Sequence, residues 1–206
     1  MNKLKIIYST KKSNPTFIKH INDTIGLDFF DYSVSEVIND GTKSLSEIYQ
    51  EELECPLNSS NYYLFIYDNI VFETINWGVK LLKHFDSDYS IIGLAGSTYL
   101  NENGCWWDNK KTLVGQLNHE TDNKKWVTKL SNNFGEKIVD TLIVNDLFIA
   151  VNKTKLKYEF DLSIDKNHFH DVDLSFGNHI NGGLNGVIFN IEITHKRLDD
   201  NQSIWD

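Results

Sequence analysis

The sequence is short of cysteine, proline and positive charge, and each shortage excludes a class of protein. Its 206 residues include two cysteines, Cys55 and Cys105, without C-x-x-C spacing. A disulfide framework is therefore disfavoured, and a thiolate zinc site would need several histidines nearby. Two prolines accompany a hydrophobic content of 40% and an aromatic content of 13%. This composition argues against disorder and predicts a globular fold.

The charge balance and the lack of long apolar runs restrict the partners. Lys and Arg number 20 against 29 Asp and Glu, a formal charge of -9. Duplex nucleic acid is disfavoured as the main ligand, because such binding neutralises phosphates with basic side chains. No stretch approaches the roughly 18 apolar residues of a membrane helix, and the apolar run at residues 4–8 is too short for a signal peptide. We expect a cytoplasmic protein without a transmembrane segment.

Four common functional motifs are also missing. The chain contains no G-x-G-x-x-G, no G-x-x-x-x-G-K-[ST], no G-x-S-x-G and no H-E-x-x-H. Dinucleotide-binding, P-loop, serine hydrolase and zinc protease interpretations therefore have no support in the sequence.

The first half alternates predicted strands and helices. The length fits one domain over residues 1–206. The predicted strands are residues 4–8, 32–38, 62–67 and 90–95. The intervening helices are indicated by Phe17, Ile18 and Ile21, by a capping box at Ser44 and Glu47, and by Ile75, Val79 and Leu82. This order predicts an α/β domain with a mostly parallel central sheet flanked by helices, whose ligands bind beyond the carboxyl ends of the strands.

The second half changes character and predicts a small antiparallel addition. Residues 96–135 show no clear helical stripe. The elements predicted after them are two strands in residues 140–152 joined at Asn145-Asp146, a helix near residues 171–180, and a strand at residues 186–193.

Asp68 follows a buried apolar strand, where an α/β sheet exposes its ligand-binding edge. A carboxylate there could hold a divalent cation that neutralises a diphosphate. The alternative is that Asp68 and Asn69 begin a turn or cap the next helix.

Asp171 and Asp173 begin the late helix. Acidic residues are common in a first turn, because they interact favourably with the helix dipole. Two residues apart, the two side chains project to different faces, so one can pair while the other faces a cleft. A carboxylate that faces the cleft could act as general base on a sugar hydroxyl.

Three further side chains are candidates. His195 follows a predicted strand, and a neutral imidazole is a suitable ligand for Mn²⁺; the alternative is a surface histidine. Trp106 and Trp107, beside Gly104, could form a stacking surface for a sugar ring or acceptor, or they could fill the core.

The order of these segments resembles the family-2-like glycosyltransferases with a GT-A fold, particularly the small bacterial branch. The similarity runs over most of the chain. It is clearest at residues 44–50, 63–70, 91–97, 104–107, 147–151 and 169–174.

The resemblance implies an inverting transfer from a nucleoside-diphosphate sugar to the hydroxyl of a glycan, lipid-linked or small-molecule acceptor. Asp68 would bind Mn²⁺ or Mg²⁺ and the donor diphosphate, with Asn69 at a position that is usually acidic. His195 would complete the metal site. Asp171 would be the base, with His170 where Glu is common.

The resemblance also divides the chain into a nucleotide-sugar-binding half, residues 1–100, and an acceptor-binding half, residues 101–206. The remaining donor contacts would come from Ser9, Thr10 and Asn39. The acceptor contacts would come from Trp106, Trp107, His170, Asn145 and Asp146, the last two standing where relatives often have Asp-Gly.

Two other functions remain open. A sugar nucleotidyltransferase shares the alternating sheet but needs a glycine-rich basic loop after the first strand, and residues 9–13 contain no glycine. A non-catalytic sugar- or nucleotide-binding module would be consistent with Asn69 and His170 in place of acidic residues.

Overall fold

The computed structural model describes residues 4–29, 31–56, 60–129, 138–164 and 169–197. In chain order the elements are β1 (Leu4–Thr10), α1 (Pro15–Thr24), β2 (Tyr32–Ile38), α2 (Leu45–Glu54), β3 (Tyr62–Ile66), β4 (Ile70–Phe72), α3 (Trp77–His84), β5 (Ile91–Gly93), β6 (Ala95–Ser97), β7 (Leu113–Glu120), β8 (Lys125–Lys129), β9 (Ile138–Thr141), β10 (Ile143–Val144), β11 (Phe148–Asn152), α4 (His170–Ile180), β12 (Asn185–Ile188) and β13 (Ile193–Lys196). None of the helices in these ranges has the length and apolar character that a membrane crossing requires.

The strands form two sheets. The larger is seven-stranded, with the order β2-β1-β3-β11-β5-β12-β9. Strand β1 pairs in parallel with β2 and β3, and β5 pairs in parallel with β12. Strands β11 and β9 run antiparallel to their neighbours. The α/β class is as predicted, but the sheet is mixed rather than mostly parallel, because the reversed β11 separates β3 from β5.

The smaller sheet is six-stranded, with the path β10-β6-β7-β13-β4 and with β8 paired to β7. Only the pairing of β13 with β7 is parallel among those that the structure describes. The antiparallel addition predicted for the second half is therefore this sheet. It also takes β4 and β6 from the first half.

Local sequence signals explain the first two helices. Asn14 caps α1 by accepting a hydrogen bond from the Phe17 amide at 3.1 Å, and Pro15 takes the first helical position, where its fixed φ fits. The capping box of α2 is present: the Glu47 amide donates to Ser44 Oγ at 3.1 Å, and the Ser44 amide donates to Glu47 Oε2 at 2.6 Å.

The start of α3 differs from the prediction. Ile75 is 59% exposed and lies outside the helix, whose buried face includes Trp77 and Leu81. Asn76 adopts the left-handed conformation at φ 59° and separates Ile75 from the helix. The Trp77 indole N–H donates to Thr24 Oγ1 at 3.0 Å, which ties the start of α3 to α1.

Two predicted strands are each divided between the sheets. The run at residues 90–95 is β5 up to Gly93 and β6 from Ala95, and the run at residues 186–193 supplies the end of β12 and the start of β13. In the first run the apolar residues do not reveal where the chain changes sheets, because β5 and β6 are both buried. Gly96 in β6 permits the close pairing with β10, since a Cβ there would lie 2.1 Å from the Ile143 carbonyl oxygen.

The larger sheet is covered on both faces. Alternating side chains of its strands enter two separate apolar clusters, one shared with α1 and α3 and the other with α2 and α4. Representative pairs are Ile6 and Ile7 in β1, Leu64 and Phe65 in β3, and Ala150 and Ile149 in β11. Burial on both faces accounts for the almost unbroken apolar strands of the sequence.

One edge of the larger sheet collects the polar segments. Strands β1, β2, β3, β5 and β12 run in the same direction, so their carboxyl ends share this edge. Because β11 is reversed and Phe148 pairs with Ile66, the Asn145-Asp146 turn before β11 lies next to the end of β3.

Candidate active site

The first part of the site is the Asn69–His195 corner, formed by Asp68, Asn69 and His195. Residues 67–69 carry the chain from β3 in the larger sheet to β4 in the smaller one. Strand β13 pairs with β4 so that His195 is opposite Ile70, and the Lys196 amide donates to the Asn69 carbonyl at 2.8 Å. This pairing places Asn69 Nδ2 3.1 Å from His195 Nε2.

His195 is held in its neutral form. Burial is the largest cause of a lowered pKa, to about 4, and the neighbouring His119 and Arg197 lower it further. His119 lies opposite His195 in the parallel ladder, with the two rings 5.9 Å apart, and stacks on Trp126. At neutral pH the His195 imidazole is therefore uncharged and able to bind a cation.

Asp68 is half-buried, and its charge acts on Tyr8 near the carboxyl end of β1. The pKa of Tyr8 in β1 is raised, mainly by burial and by the hydrogen bond to Glu36, and Asp68 adds a smaller contribution. The Tyr8 hydroxyl donates to Glu36 Oε1 at 2.7 Å, and the same oxygen accepts from the Asn14 amide at 2.6 Å. Glu36 thus ties the loop after β1 to β2.

The predicted donor residues of the first strands share this edge. Ser9 and Thr10 end β1, and the Asn39 amide donates to the Thr10 carbonyl at 2.9 Å. The Thr10 hydroxyl bonds the Lys12 carbonyl at 3.0 Å, and the Asn39 side chain donates to the Lys43 carbonyl at 2.9 Å. Both side chains therefore organise the loops around the edge.

The second part of the site is the Asp146–Asp171 corner, formed by Tyr67, Asp146 and Asp171. Asp171 lies in the first turn of α4 and is only 7% exposed. Its carboxylate accepts hydrogen bonds from its own amide, from the Val172 amide and from the Trp106 indole. Phe169, just before the helix, adopts the left-handed conformation at φ 68°. A non-glycine residue held there is a strained feature that clusters at functional sites.

Asp171 is poised to hold a proton. Burial, with a further contribution from the negative charge of Asp146, raises the pKa of Asp171 to about 8. Its three donors oppose this rise but do not cancel it. A carboxyl group with such a pKa is a much stronger proton acceptor than an ordinary aspartate.

Asp146 is fixed by two donors. The Tyr67 hydroxyl donates to Asp146 Oδ2 at 2.5 Å, and Asn145 Nδ2 donates to Oδ1 at 2.9 Å. Asn145 Oδ1 accepts from the Leu147 amide at 3.2 Å, which closes the turn before β11. The negative charge of Asp146 also opposes the lowering of the His195 pKa, as the smallest of its causes.

His170 packs against the same group. It is 6% exposed, and its ring lies 5.9 Å from that of Tyr49 and 6.5 Å from that of Tyr67. It therefore fixes the start of α4 against α2 and the end of β3.

Asp173 faces the opposite side of α4. Its carboxylate accepts from the Tyr158 hydroxyl and from the Asp161 amide, each at 2.9 Å. The two acidic residues of the first turn thus divide as their spacing predicted, with Asp173 paired in a loop contact and Asp171 directed toward Asp146.

Trp106 has a different position from a stacking surface. It is 3% exposed and packs in a small cluster with Leu113 and Ile143, while its indole donates to Asp171. Trp107 is half-buried, with its ring at 85° to that of Trp106. Of the two tryptophans, only Trp107 retains surface that an acceptor could contact.

The Asn69–His195 corner contains the residues that the resemblance assigns to a divalent metal. Within the described ranges, no three His, Cys, Asp or Glu side chains converge on one point. The corner does offer an amide group against a neutral imidazole, with the Asp68 carboxylate adjacent in the chain. Oxygen and imidazole donors of this kind suit Mn²⁺ or Mg²⁺ when substrate phosphates supply further ligands. Asp68 and His195 are therefore the residues that would hold such a metal, with further ligands from a bound diphosphate.

Sequence reasoning missed Tyr67 and His119. Tyr67 ends an apolar strand and was therefore taken as part of the hydrophobic core. Its position next to Asp68 was the signal that its hydroxyl lies at the carboxyl edge of the sheet. His119 lies in a region without a clear pattern, and only the register of β7 with β13 brings it to His195.

Comparison with known proteins identifies the family and the fold of the chain. The model of a family described as a glycosyltransferase-like family matches residues 23–190, which is more than half of the chain. No curated protein matches the chain in sequence.

Two solved structures share the fold. The crystal structure of A197 from STIV has a TM-score of 0.53 and 13% identity, and the match covers 95% of this chain and 85% of that chain. The crystal structure of GalNAc-T7 with UDP, GalNAc and Mn²⁺ has a TM-score of 0.62 and 7% identity, and the match covers 98% of this chain and 45% of that chain. The chain thus spans less than half the length of GalNAc-T7. The family match, together with the shared fold, confirms the resemblance: the chain belongs to the glycosyltransferase-like family and is a glycosyltransferase with a GT-A fold.

Proposed function

We propose that this glycosyltransferase moves a sugar from a nucleoside-diphosphate sugar to an acceptor hydroxyl with inversion, and that Asp171 is the general base. The observation that carries the proposal is the buried Asp171 carboxylate at the start of α4, with the pKa of a proton acceptor near neutrality. It lies on the edge of the sheet that also holds the Asn69–His195 corner.

The chemical step follows from these positions. The acceptor hydroxyl gives its proton to Asp171 while its oxygen forms a bond to the anomeric carbon. The bond from that carbon to the diphosphate oxygen breaks on the opposite face, and the nucleoside diphosphate leaves with the electron pair. A base of raised pKa accepts the proton more readily as the new bond forms.

Asp68 and His195 are the proposed metal ligands, with Asn69 beside them. A bound Mn²⁺ or Mg²⁺ would supply positive charge to the departing diphosphate. GalNAc-T7 was solved with UDP, GalNAc and Mn²⁺, which supports a nucleotide-sugar donor and a divalent metal for a chain of this fold. The neutral His195 needs no deprotonation before it binds a metal.

The two substrates are assigned to opposite halves of the chain. Residues 1–100 would hold the donor, with the nucleotide base over Ser9, Thr10 and Asn39. Residues 101–206 would hold a glycan, lipid-linked or small-molecule acceptor. The proposed acceptor contacts are Trp107, His170 and the turn formed by Asn145 and Asp146.

Asp171→Asn tests the base directly, because asparagine keeps the shape and can still accept from Trp106. We expect turnover to fall by about 10²- to 10⁴-fold while nucleotide binding is retained. The assay is release of nucleoside diphosphate from a panel of donors with Mn²⁺ and Mg²⁺. Asp173→Asn is the matched control, since it changes an equally buried carboxylate of the same helical turn. Equal turnover in the Asp171 variant and the wild type would reject Asp171 as the base.

A further inference from the structure

The Tyr67–Asp146 pair consists of a phenol and a carboxylate in the Asp146–Asp171 corner. The hydrogen bond between them is 2.5 Å long, and Tyr67 precedes Asp68 directly. Asp146 follows β10, and β10 packs on α4, where the Val144 amide donates to Ser175 Oγ at 3.2 Å. The Tyr67 ring also lies 6.5 Å from that of His170, the residue before Asp171, so the Tyr67–Asp146 pair is placed against the start of α4.

Asp146 is not required to close the turn in which it lies. The turn before β11 is already closed by Asn145, whose side chain accepts from the Leu147 amide. Among the described residues, the hydrogen-bond partners of Asp146 are the Tyr67 hydroxyl and the Asn145 amide, and neither carries a positive charge. A half-buried carboxylate placed beside a second, fully buried carboxyl group costs electrostatic free energy.

We infer that Tyr67 and Asp146 form a positioning pair whose fixed negative charge sets how strongly Asp171 accepts the proton of the acceptor. The inference rests on the proposed role of Asp171 as base. It gives Asp146 a function different from direct contact with the acceptor. Like charges at close range favour the protonated form of one partner, so Asp146 makes Asp171 the stronger base.

The groups that face Asp171 come from several elements. Asp146 faces it from the turn before β11, Tyr67 from the end of β3, and the Trp106 indole from the loop before β7. His170 precedes it in α4, and Asp173 is turned away to Tyr158. Among these, Asp146 is the carboxylate whose charge acts on Asp171.

The test is the pH profile of kcat/KM for the wild type and for Asp146→Asn. Activity of the wild type should rise with pH as Asp171 loses its proton, with a midpoint near pH 8. Asp146→Asn removes the neighbouring charge, so the midpoint should fall by roughly one unit or more. Asp140→Asn is the control, because Asp140 also accepts from a phenol, that of Tyr89, but on β9.

A second readout does not depend on turnover. Thermal unfolding measured from pH 4 to pH 9 reports the proton held by Asp171, because that proton is lost on unfolding. The loss of stability with rising pH should be smaller in Asp146→Asn than in the wild type. If Asp171→Asn retains turnover, the proposed function is wrong, and this unfolding profile still decides whether Asp146 acts on Asp171.

Tyr67→Phe provides an independent variant if Asp146→Asn does not fold. It retains the ring that packs beside His170 and removes the hydroxyl that shares the charge of Asp146. The midpoint should then rise, opposite to the effect of Asp146→Asn. An unchanged midpoint in the folded variant of either residue would overturn the inference.

Discussion

The Asn69–His195 corner and the Asp146–Asp171 corner respond to burial in opposite ways. Burial lowers the pKa of His195 to about 4 and raises the pKa of Asp171 to about 8. In each case the charged form is disfavoured in an environment that solvates it poorly. His195 is therefore neutral throughout the physiological range, whereas Asp171 changes its protonation within it. The charge state of His195 is therefore constant over this range, whereas that of Asp171 depends on pH.

The largest expected effect on stability comes from removing the titrating group of the Asp146–Asp171 corner. The unfolded chain releases the Asp171 proton near pH 4 and the folded chain near pH 8, so rising pH between these values destabilises the fold. Asp171→Asn cannot ionise and should exceed the wild type in unfolding free energy by on the order of 5 kcal/mol at pH 8. The difference should shrink toward pH 4.

Urea unfolding at pH 4, 6 and 8 measures this difference. A variant that is less stable than the wild type at pH 8 would contradict the raised pKa of Asp171. A more stable but inactive variant would show that the base is retained at a cost in stability.

The Asn69–His195 corner should show its effect in metal affinity. His195→Ala removes the imidazole of the proposed site, and we expect Mn²⁺ with nucleoside diphosphate to bind about 10- to 100-fold more weakly. Calorimetry at pH 7 measures the affinity. His84→Ala is a suitable control, because His84 ends α3 and bonds Asn190 at 3.1 Å. Equal losses in the two variants would exclude a specific role of His195.

Much of this arrangement could be predicted from the sequence, for a physical reason. Strand ends and helix starts are local features, so the apolar runs and the first-turn acids predict the positions of Asp68 after β3 and of Asp171 at the start of α4. The division between Asp171 and Asp173 followed from helix geometry alone.

The other parts depend on contacts between distant segments. The segment 186–193 was predicted as one strand, but the chain crosses within it from β12 to β13, and the position of His195 beside Asn69 depends on that crossing. The sequence left open whether Trp106 forms a stacking surface or fills the core, because its indole partner, Asp171, is 65 positions further along the chain. Tyr67 was predicted as the end of a buried strand, because the apolar residues before it do not indicate where its hydroxyl points.

A carboxylate in the Asn69–His195 corner should sharpen the contrast between the corners. Asn69→Asp restores the acidic residue that is usual at this position and adds a negative charge beside His195. We expect about tenfold tighter binding of Mn²⁺ with nucleoside diphosphate, because a carboxylate is a better ligand than an amide for hard cations. Calorimetry with Asn118→Asp as the control would reject the metal site if both variants gain affinity equally.

The smallest expected effect comes from replacing Trp106, whose hydrogen bond lowers the pKa of Asp171 whereas the charge of Asp146 raises it. The Trp106 indole stabilises the charged form of Asp171, so Trp106→Phe should raise the midpoint of the kcat/KM profile by roughly half a unit, opposite in direction to Asp146→Asn. The smaller ring leaves a cavity beside Leu113 and Ile143, which should lower stability by about 1 to 3 kcal/mol. Trp107→Phe is the matched control for the pH profile. A shift of the same sign in the Trp106 and Asp146 variants would mean that general loosening of the site, rather than the individual neighbours of Asp171, determines its protonation.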